Sequence, residues 1–198
     1  MIDPITQYIL NEGYILSDKT ISVNLSKFIS RETNHLIIVG VLGSGKTTLG
    51  EELAKQLKVK WYSIDSFWRR LKQEHFKEAK SYQDITNEEW DKLDDLFYKK
   101  TINLLKSKER FIIEGINLLD ERYRQYIINQ SMIILGMSSI RAGIRAGIRN
   151  KKRGDDGGTW RLLYWMPIQN MKLCEPRIKK LRNDVKKIYN VDIQKYKI

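Results

Sequence analysis

The 198-residue chain has few of the residues that carry metal and thiol chemistry. It contains one cysteine, Cys174, and two histidines, His35 and His75. A single cysteine excludes an internal disulfide, and so few thiol and imidazole ligands argue against a structural zinc site. We therefore interpret Cys174 as a packing residue and both histidines as ordinary structural residues. This cysteine usage is typical of a reducing compartment, so we expect a cytoplasmic protein (host cytoplasm if the source is viral).

Long apolar runs and leader-like segments are also missing. No run approaches the roughly 20 residues that cross a membrane, and residues 1–4 lack the basic start of a signal peptide. The composition is 41% hydrophobic and 30% charged, which is typical of one globular domain at this length. We therefore expect no membrane partner, while the oligomeric state stays open.

Acidic residues are scarce in the last third of the chain. The net charge is +12, and residues 141–198 hold 16 basic and 5 acidic residues, a net charge of +11. Such asymmetry favours a polyanionic partner such as a nucleotide or a nucleic acid. The alternative is a solvated basic surface that aids solubility.

The segment 35–48 is the most informative part of the sequence. An apolar strand-like run leads into a glycine-rich turn that matches G-x-x-x-x-G-K-[ST], the phosphate-binding loop (P-loop), and a helix pattern follows. The loop's glycines permit unusual backbone angles and leave room for main-chain N–H groups around a phosphate. The residues predicted to bind nucleotide are Gly40, Gly43, Ser44, Gly45, Lys46, Thr47 and Thr48. Lys46 would reach the β- and γ-phosphates of ATP, and Thr47 would ligate Mg²⁺.

Strand and helix patterns alternate along the chain. Strands are predicted over 59–64, 111–115 and 132–135 besides the P-loop strand, and a capping box at residues 86–89 opens an amphipathic helix. The fold class is therefore α/β: a P-loop NTPase with a parallel sheet of about five strands between helices. We divide the single domain 1–198 into an N-terminal β element (1–34), a nucleotide-binding core (35–137), and a basic lid with C-terminal helices (138–198). Residues 14–16 are predicted to pair with the following strand as a hairpin, and residues 120–129 to form a helix. A terminal amphipathic helix is predicted with Leu181, Val185 and Ile188 on its apolar face, followed by a last edge strand near Val191.

The ordered set of motifs resembles the small P-loop kinases, a group that includes nucleoside monophosphate, shikimate and gluconate kinases and polynucleotide 5′-kinases. After the loop come Asp65 behind the second strand, Glu114 closing the third, and an arginine-rich helix behind the fourth. The resemblance implies that Asp65 engages the acceptor hydroxyl and that Glu114 serves the magnesium ion. It also implies that lid arginines close over the triphosphate; these are Arg141, Arg145, Arg149 and Arg153, with Arg145 and Arg149 predicted to be catalytic.

Each of these residues also has a plain structural interpretation. Asp65 is equally suited to capping a helix that begins at Ser66. Glu114 is suited to a solvated strand end, and the arginines to one exposed face of a basic helix. Ile140, Ile144 and Ile148 form a neighbouring stripe on that helix.

The acceptor is not specified by any motif. Arg69 or Arg70 would suit an acceptor phosphate, and Trp160 and Trp165, set among basic residues, would suit stacking on a base. We expect a nucleotide or nucleic-acid acceptor, with nucleic acid favoured, as in polynucleotide 5′-kinases or phage kinases that modify pyrimidines in DNA. The alternative from another class is a nucleic-acid-binding or assembly ATPase without a kinase acceptor.

Overall fold

A computed structural model describes residues 21–76, 85–136, 139–152 and 166–189. The five strands are β1 (Ile21–Val23), β2 (His35–Val39), β3 (Lys60–Ser63), β4 (Phe111–Glu114) and β5 (Ser131–Ile134). They form one sheet in the order β1-β5-β2-β4-β3. Strands β2 to β5 are parallel, and β1 adds to the β5 edge in antiparallel orientation. The predicted α/β class is confirmed. Strand β1 belongs to the predicted N-terminal β element, whose residues 1–20 lie outside the described residues.

Helices connect the parallel strands. The bounds are α1 (Leu25–Ile29), α2 (Lys46–Leu57), α3 (Ile64–His75), α4 (Asn87–Leu105), α5 (Arg124–Ile127), α6 (Ser139–Lys152) and α7 (Glu175–Tyr189). Two short 3₁₀ turns, Asn117–Leu119 and Glu121–Tyr123, precede α5. Residues 166–169 are helical and run into a π-helical turn, Asn170–Cys174, which continues directly into α7. None of the described helices is long and apolar enough to cross a membrane.

The core has two layers because successive strand residues face opposite sides of the sheet. Ile37 and Val39 of β2 face the cluster formed with α3, α4 and α7. Leu36 and Ile38 face the smaller cluster formed with α1 and α2. Helices therefore cover both faces, and β2 lies at the centre between β4 and β5. This places the P-loop, which follows β2, in the middle of the sheet's carboxyl edge.

Several predicted boundaries need correction. The second strand ends at Ser63, and α3 already begins at Ile64, so Asp65 lies inside the first helical turn and is not the cap. Ser63 is the cap, since its Oγ accepts a hydrogen bond of 3.3 Å from the Ser66 N–H. The helix predicted over 120–129 is instead a series of short turns around α5. Ile188, predicted to be on the buried face of α7, is 53% exposed.

Other predictions are confirmed in the described residues. The Thr86–Glu89 capping box opens α4, and Leu93 and Phe97 on its apolar face are buried. The predicted hairpin partner at residues 14–16 and the edge strand near Val191 lie outside the described residues.

His35 begins β2 and is 3% exposed, with its ring stacked on Phe111 at a centroid distance of 4.2 Å. Burial lowers the pKa of His35 below its usual 6.5, and the nearby backbone of Ser107 and Glu109 opposes this shift only in part. The unfolded chain therefore takes up a proton below about pH 6.5 that the folded protein resists.

We predict that wild-type protein loses stability as the pH falls from 7 toward 5, and that His35→Phe removes much of this loss. Phenylalanine keeps the stack on Phe111 but cannot be protonated. Urea unfolding at several pH values measures the effect, with His75→Phe, at an exposed position of α3, as the control. An unchanged pH slope in His35→Phe would contradict the assignment.

Candidate active site

The P-loop at the carboxyl end of β2 has the backbone shape that anion binding requires. Gly43 and Gly45 have φ angles of 82° and 91°, in the region that favours glycine. The loop ends at the N-terminus of α2, whose first residue is Lys46. Free N–H groups and the helix dipole thus converge on one concave surface.

Lys46 is 5% exposed, and its Nζ donates a hydrogen bond of 3.2 Å to the Val41 carbonyl. Within the described part of the chain, no carboxylate lies within ion-pair distance of this ammonium group. The ammonium group is therefore held under the loop by a carbonyl and makes no direct ion pair with a described carboxylate. Such a charge attracts phosphate oxygens strongly, because its surroundings are poorly hydrated.

Asn170 holds the P-loop from the C-terminal part of the chain. Its Oδ1 accepts a hydrogen bond of 3.0 Å from the Leu42 N–H, and its Nδ2 donates one of 3.0 Å to the Leu42 carbonyl. The side chain is fully buried and opens the π-helical turn. Cys174, at the end of the same turn, is also buried, and burial raises the pKa of its thiol, so it stays protonated and inert.

Helix α6 contacts the loop through its small residues. A Cβ at Gly43 would lie 2.0 Å from the Ala142 carbonyl oxygen, so only glycine permits this approach. Ala142 and Ala146 are buried, whereas Arg141 and Arg145 of the same helix are exposed. The P-loop is therefore enclosed between α6 and the Asn170 turn.

Glu114, the last residue of β4, faces the start of α2. It is 1% exposed, and its Oε1 accepts a hydrogen bond of 3.1 Å from Thr47 Oγ1. The second oxygen, Oε2, is buried without a hydrogen-bond partner among the described residues. Burial raises the pKa of Glu114 above its usual range, and the Ser63 hydroxyl and the Lys46 charge oppose this rise only in part. A buried carboxylate with an unused oxygen is suited to receiving a cation.

The residues present fit a magnesium ion bound together with a nucleotide. Magnesium is commonly held by one or two protein oxygens plus phosphate oxygens and water. Thr47 Oγ1 and Glu114 Oε2 would supply the protein side, directly or through water. The described residues contain no cluster of three or more acidic, histidine or cysteine ligands, so the nucleotide would have to complete the site.

Asp65 lies beside this centre. Its Oδ1 and Oδ2 accept hydrogen bonds of 3.0 and 3.2 Å from the Ile116 N–H, and the Asn117 N–H lies 3.4 Å from Oδ1. The loop can approach this closely because residue 115 is glycine; a Cβ there would lie 2.9 Å from Asp65 Oδ1. These bonds fix the orientation of the carboxylate at the sheet's carboxyl edge, next to Glu114 and the P-loop.

The remaining predicted residues are divided between described and undescribed parts. Ser44 is buried in the loop and Thr48 is exposed on α2. Arg69 and Arg70 are exposed on α3. Arg149 belongs to α6, and its side chain is outside the described residues, as are Arg153, Trp160 and Trp165 as a whole. The structure thus brings together the P-loop, Asp65 and Glu114. The functional roles of these residues, like those of the lid and acceptor residues, stay predictions.

Comparisons with known proteins support the kinase interpretation. No family model matches the chain. A shikimate kinase from Persephonella marina is 23% identical over 163 residues, which cover 78% of this chain and 79% of that protein. The crystal structure of a shikimate kinase from Bacteroides thetaiotaomicron matches with a TM-score of 0.50 and 12% identity, over 79% of this chain and 96% of that one. A shikimate kinase from Acinetobacter baumannii, solved with shikimate, matches with a TM-score of 0.48 and 15% identity, over 80% and 92% of the two chains.

By fold and enzyme class, the chain is a P-loop kinase. The sheet order and the structure from Bacteroides thetaiotaomicron agree on the fold. The P-loop motif and the relative from Persephonella marina support ATP-dependent phosphoryl transfer as the general reaction. The matches support the wider group of small P-loop kinases and do not support its polynucleotide-kinase or phage-kinase members.

The first prediction for this site concerns the Asn170 contact. Asn170→Ala should lower the free energy of unfolding by about 1 kcal/mol or more, because it leaves the partly buried Leu42 N–H and carbonyl without their partner. It should also weaken MgATP binding by about tenfold, since the loop loses its fixed shape. Calorimetric titration and urea unfolding measure the two effects. Asn183→Ala, at an exposed position of α7, is the matched control; equal MgATP affinity in both variants would refute the positioning role.

The proposed magnesium contact of Glu114 gives a second prediction for this site. Glu114→Gln removes the negative charge but preserves the size of the side chain. We expect the thermal stabilisation that MgATP gives beyond ATP with EDTA to disappear in this variant, while the unliganded protein melts no lower than wild type. Glu109→Gln is the control, because Glu109 precedes β4 at the amino ends of the parallel strands, away from the P-loop. This variant should retain the additional thermal stabilisation by MgATP. Full retention of that effect by Glu114→Gln would exclude Glu114 from the magnesium site.

Proposed function

We propose that this protein transfers the γ-phosphate of magnesium-bound ATP to a hydroxyl group of a small polar acceptor. The observation that carries the proposal is the fixed Asp65 carboxylate beside the P-loop and Glu114. Nucleotide binding alone does not require an oriented carboxylate at this position. Transfer to a hydroxyl acceptor does require one, because a nearby group must take up the hydroxyl proton.

In the proposed reaction the acceptor oxygen attacks the γ-phosphorus as Asp65 takes up the hydroxyl proton. The new O–P bond forms while the bond between the γ-phosphorus and the bridging oxygen breaks, and ADP leaves. Lys46 and the loop N–H groups stabilise the charge that develops on the phosphate oxygens. Magnesium, when bound at Thr47 and Glu114, supplies further charge neutralisation. Arg141 and Arg145 on α6, with Arg149 and Arg153, stay the proposed source of lid charge.

Shikimate is the first acceptor to test, because the relatives described above are named as shikimate kinases. A second candidate, a nucleic-acid acceptor, is favoured by the exposed basic residues Arg141, Arg145, Lys179 and Lys187 on α6 and α7. The affinity of the protein for the two candidate acceptors should depend differently on salt. Affinity for a nucleic acid should fall steeply as ionic strength rises, because several contacts to its phosphate backbone release counterions.

Asp65→Asn should lower kcat by about 100-fold or more, with the MgATP dissociation constant changed less than about threefold. The amide keeps the shape of the side chain but cannot accept the proton. ADP release is measured with ATP alone and with shikimate, nucleosides, nucleotides and DNA, using Asp91→Asn on the exposed face of α4 as the control.

Acceptor-dependent ADP release that Asp65→Asn abolishes supports the kinase proposal. ADP release at the same rate without any acceptor, and unaffected by Asp65→Asn, would instead identify an ATPase.

A further inference from the structure

A cavity of about 540 Å³ lies beside the edge strand β3, and none of its lining residues belongs to the P-loop. Among the described residues no strand lies on the outer side of β3, and residues of α3 and α4 line the space next to it. The volume is within the range of cavities that hold small molecules, roughly 300–1,000 Å³.

The walls of this cavity are apolar and already held in place. Trp61, Tyr62, Phe67 and Leu104 line it. The Tyr62 ring packs edge-on against Phe111 at a centroid distance of 5.2 Å, and the Phe67 ring packs against Phe97 at 5.6 Å. A ligand therefore meets rings that are fixed by the core behind them and do not need to be ordered on binding.

Two exposed cationic residues also line the cavity, Arg70 of α3 and Lys100 of α4. None of the nine lining residues is acidic. In the described ranges, neither cation has a carboxylate within 4 Å. Ser63 and Ser66 also line the cavity. The combination of aromatic walls with two uncompensated cations is complementary to a small anion with a flat apolar body.

The cavity is separate from the phosphoryl-transfer centre. Ser66, Phe67 and Arg70 project toward it from α3, whereas Asp65 projects from another side of that helix, because each residue advances roughly 100° around the axis. The Asp65 carboxylate is bound to the N–H groups behind β4. A molecule in the cavity thus contacts the outer side of α3 while Asp65 faces the P-loop side.

We propose that this cavity is a second ligand site, which takes a small aromatic carboxylate with its ring between Tyr62 and Phe67 and its carboxylate at Arg70 and Lys100. The site does not depend on the acceptor identity proposed above. It gives Arg70 a role different from binding an acceptor phosphate.

The probe is 1-naphthoate, and its neutral counterpart is 1-naphthamide, which has the same ring and nearly the same size. Binding to ¹⁵N-labelled protein is followed by the amide signals of residues 61–67, in the presence of MgADP so that the P-loop is filled. We expect saturable shifts with 1-naphthoate and binding at least about fivefold weaker with 1-naphthamide.

Arg70→Gln/Lys100→Gln should weaken 1-naphthoate about tenfold and leave 1-naphthamide unchanged, which also shows that the cavity is intact. Arg69→Gln/Lys99→Gln is the matched control, since both residues are exposed neighbours that do not line the cavity. It should change 1-naphthoate affinity less than twofold. Absence of saturable shifts at residues 61–67, or equal weakening by both double variants, would overturn the proposal.

Discussion

The arrangement of this site depends on the fixed backbone of Leu42 and Gly43. Asn170 pairs with both main-chain groups of Leu42, and the Ala142 carbonyl lies directly against Gly43. The loop is thus held from two elements that follow it by about 100 residues or more in the sequence. A loop that is held in one shape before nucleotide binds loses little conformational entropy on binding.

Two buried charged residues, Lys46 and Glu114, lie next to this fixed loop backbone. Lys46 is buried beneath the loop, and Glu114 is buried beside Thr47 with one oxygen unpaired. Both groups are costly to bury in the unliganded protein, and the raised pKa of Glu114 reflects that cost. Bound magnesium and phosphate would relieve it, because they place a cation against the carboxylate and anions against the ammonium group. The unfavourable burial of these two charges and the proposed affinity for MgATP would therefore have one physical origin.

Local sequence patterns predicted those parts that local chemistry controls. The P-loop motif, the strand alternation and the Thr86–Glu89 capping box depend on residues a few positions apart, and these predictions agree with the structure. Near Asp65 the local information was ambiguous, because Ser63 and Asp65 are both good caps. The contact that decides between them comes from the N–H groups of Ile116 and Asn117, about 50 residues away.

The residues that sequence reasoning missed act over still longer separations. Asn170 contacts Leu42 across 128 residues, and nothing in its surroundings marks it as functional. In α6 the arginines and isoleucines are the prominent feature of the sequence, whereas the buried face consists of Ala142 and Ala146. Alanines spaced four apart are the sequence signal for a helix face that lies close to another backbone. For Ile188 the periodicity was misleading, because α7 leaves that turn uncovered.

Transfer of phosphate to an acceptor hydroxyl can be followed with γ-labelled ATP through a single turnover with enzyme in excess. With shikimate or another competent hydroxyl acceptor present, we expect the label to appear on the acceptor and little inorganic phosphate to form. Label found only as inorganic phosphate, at a rate that no acceptor changes, would contradict this transfer.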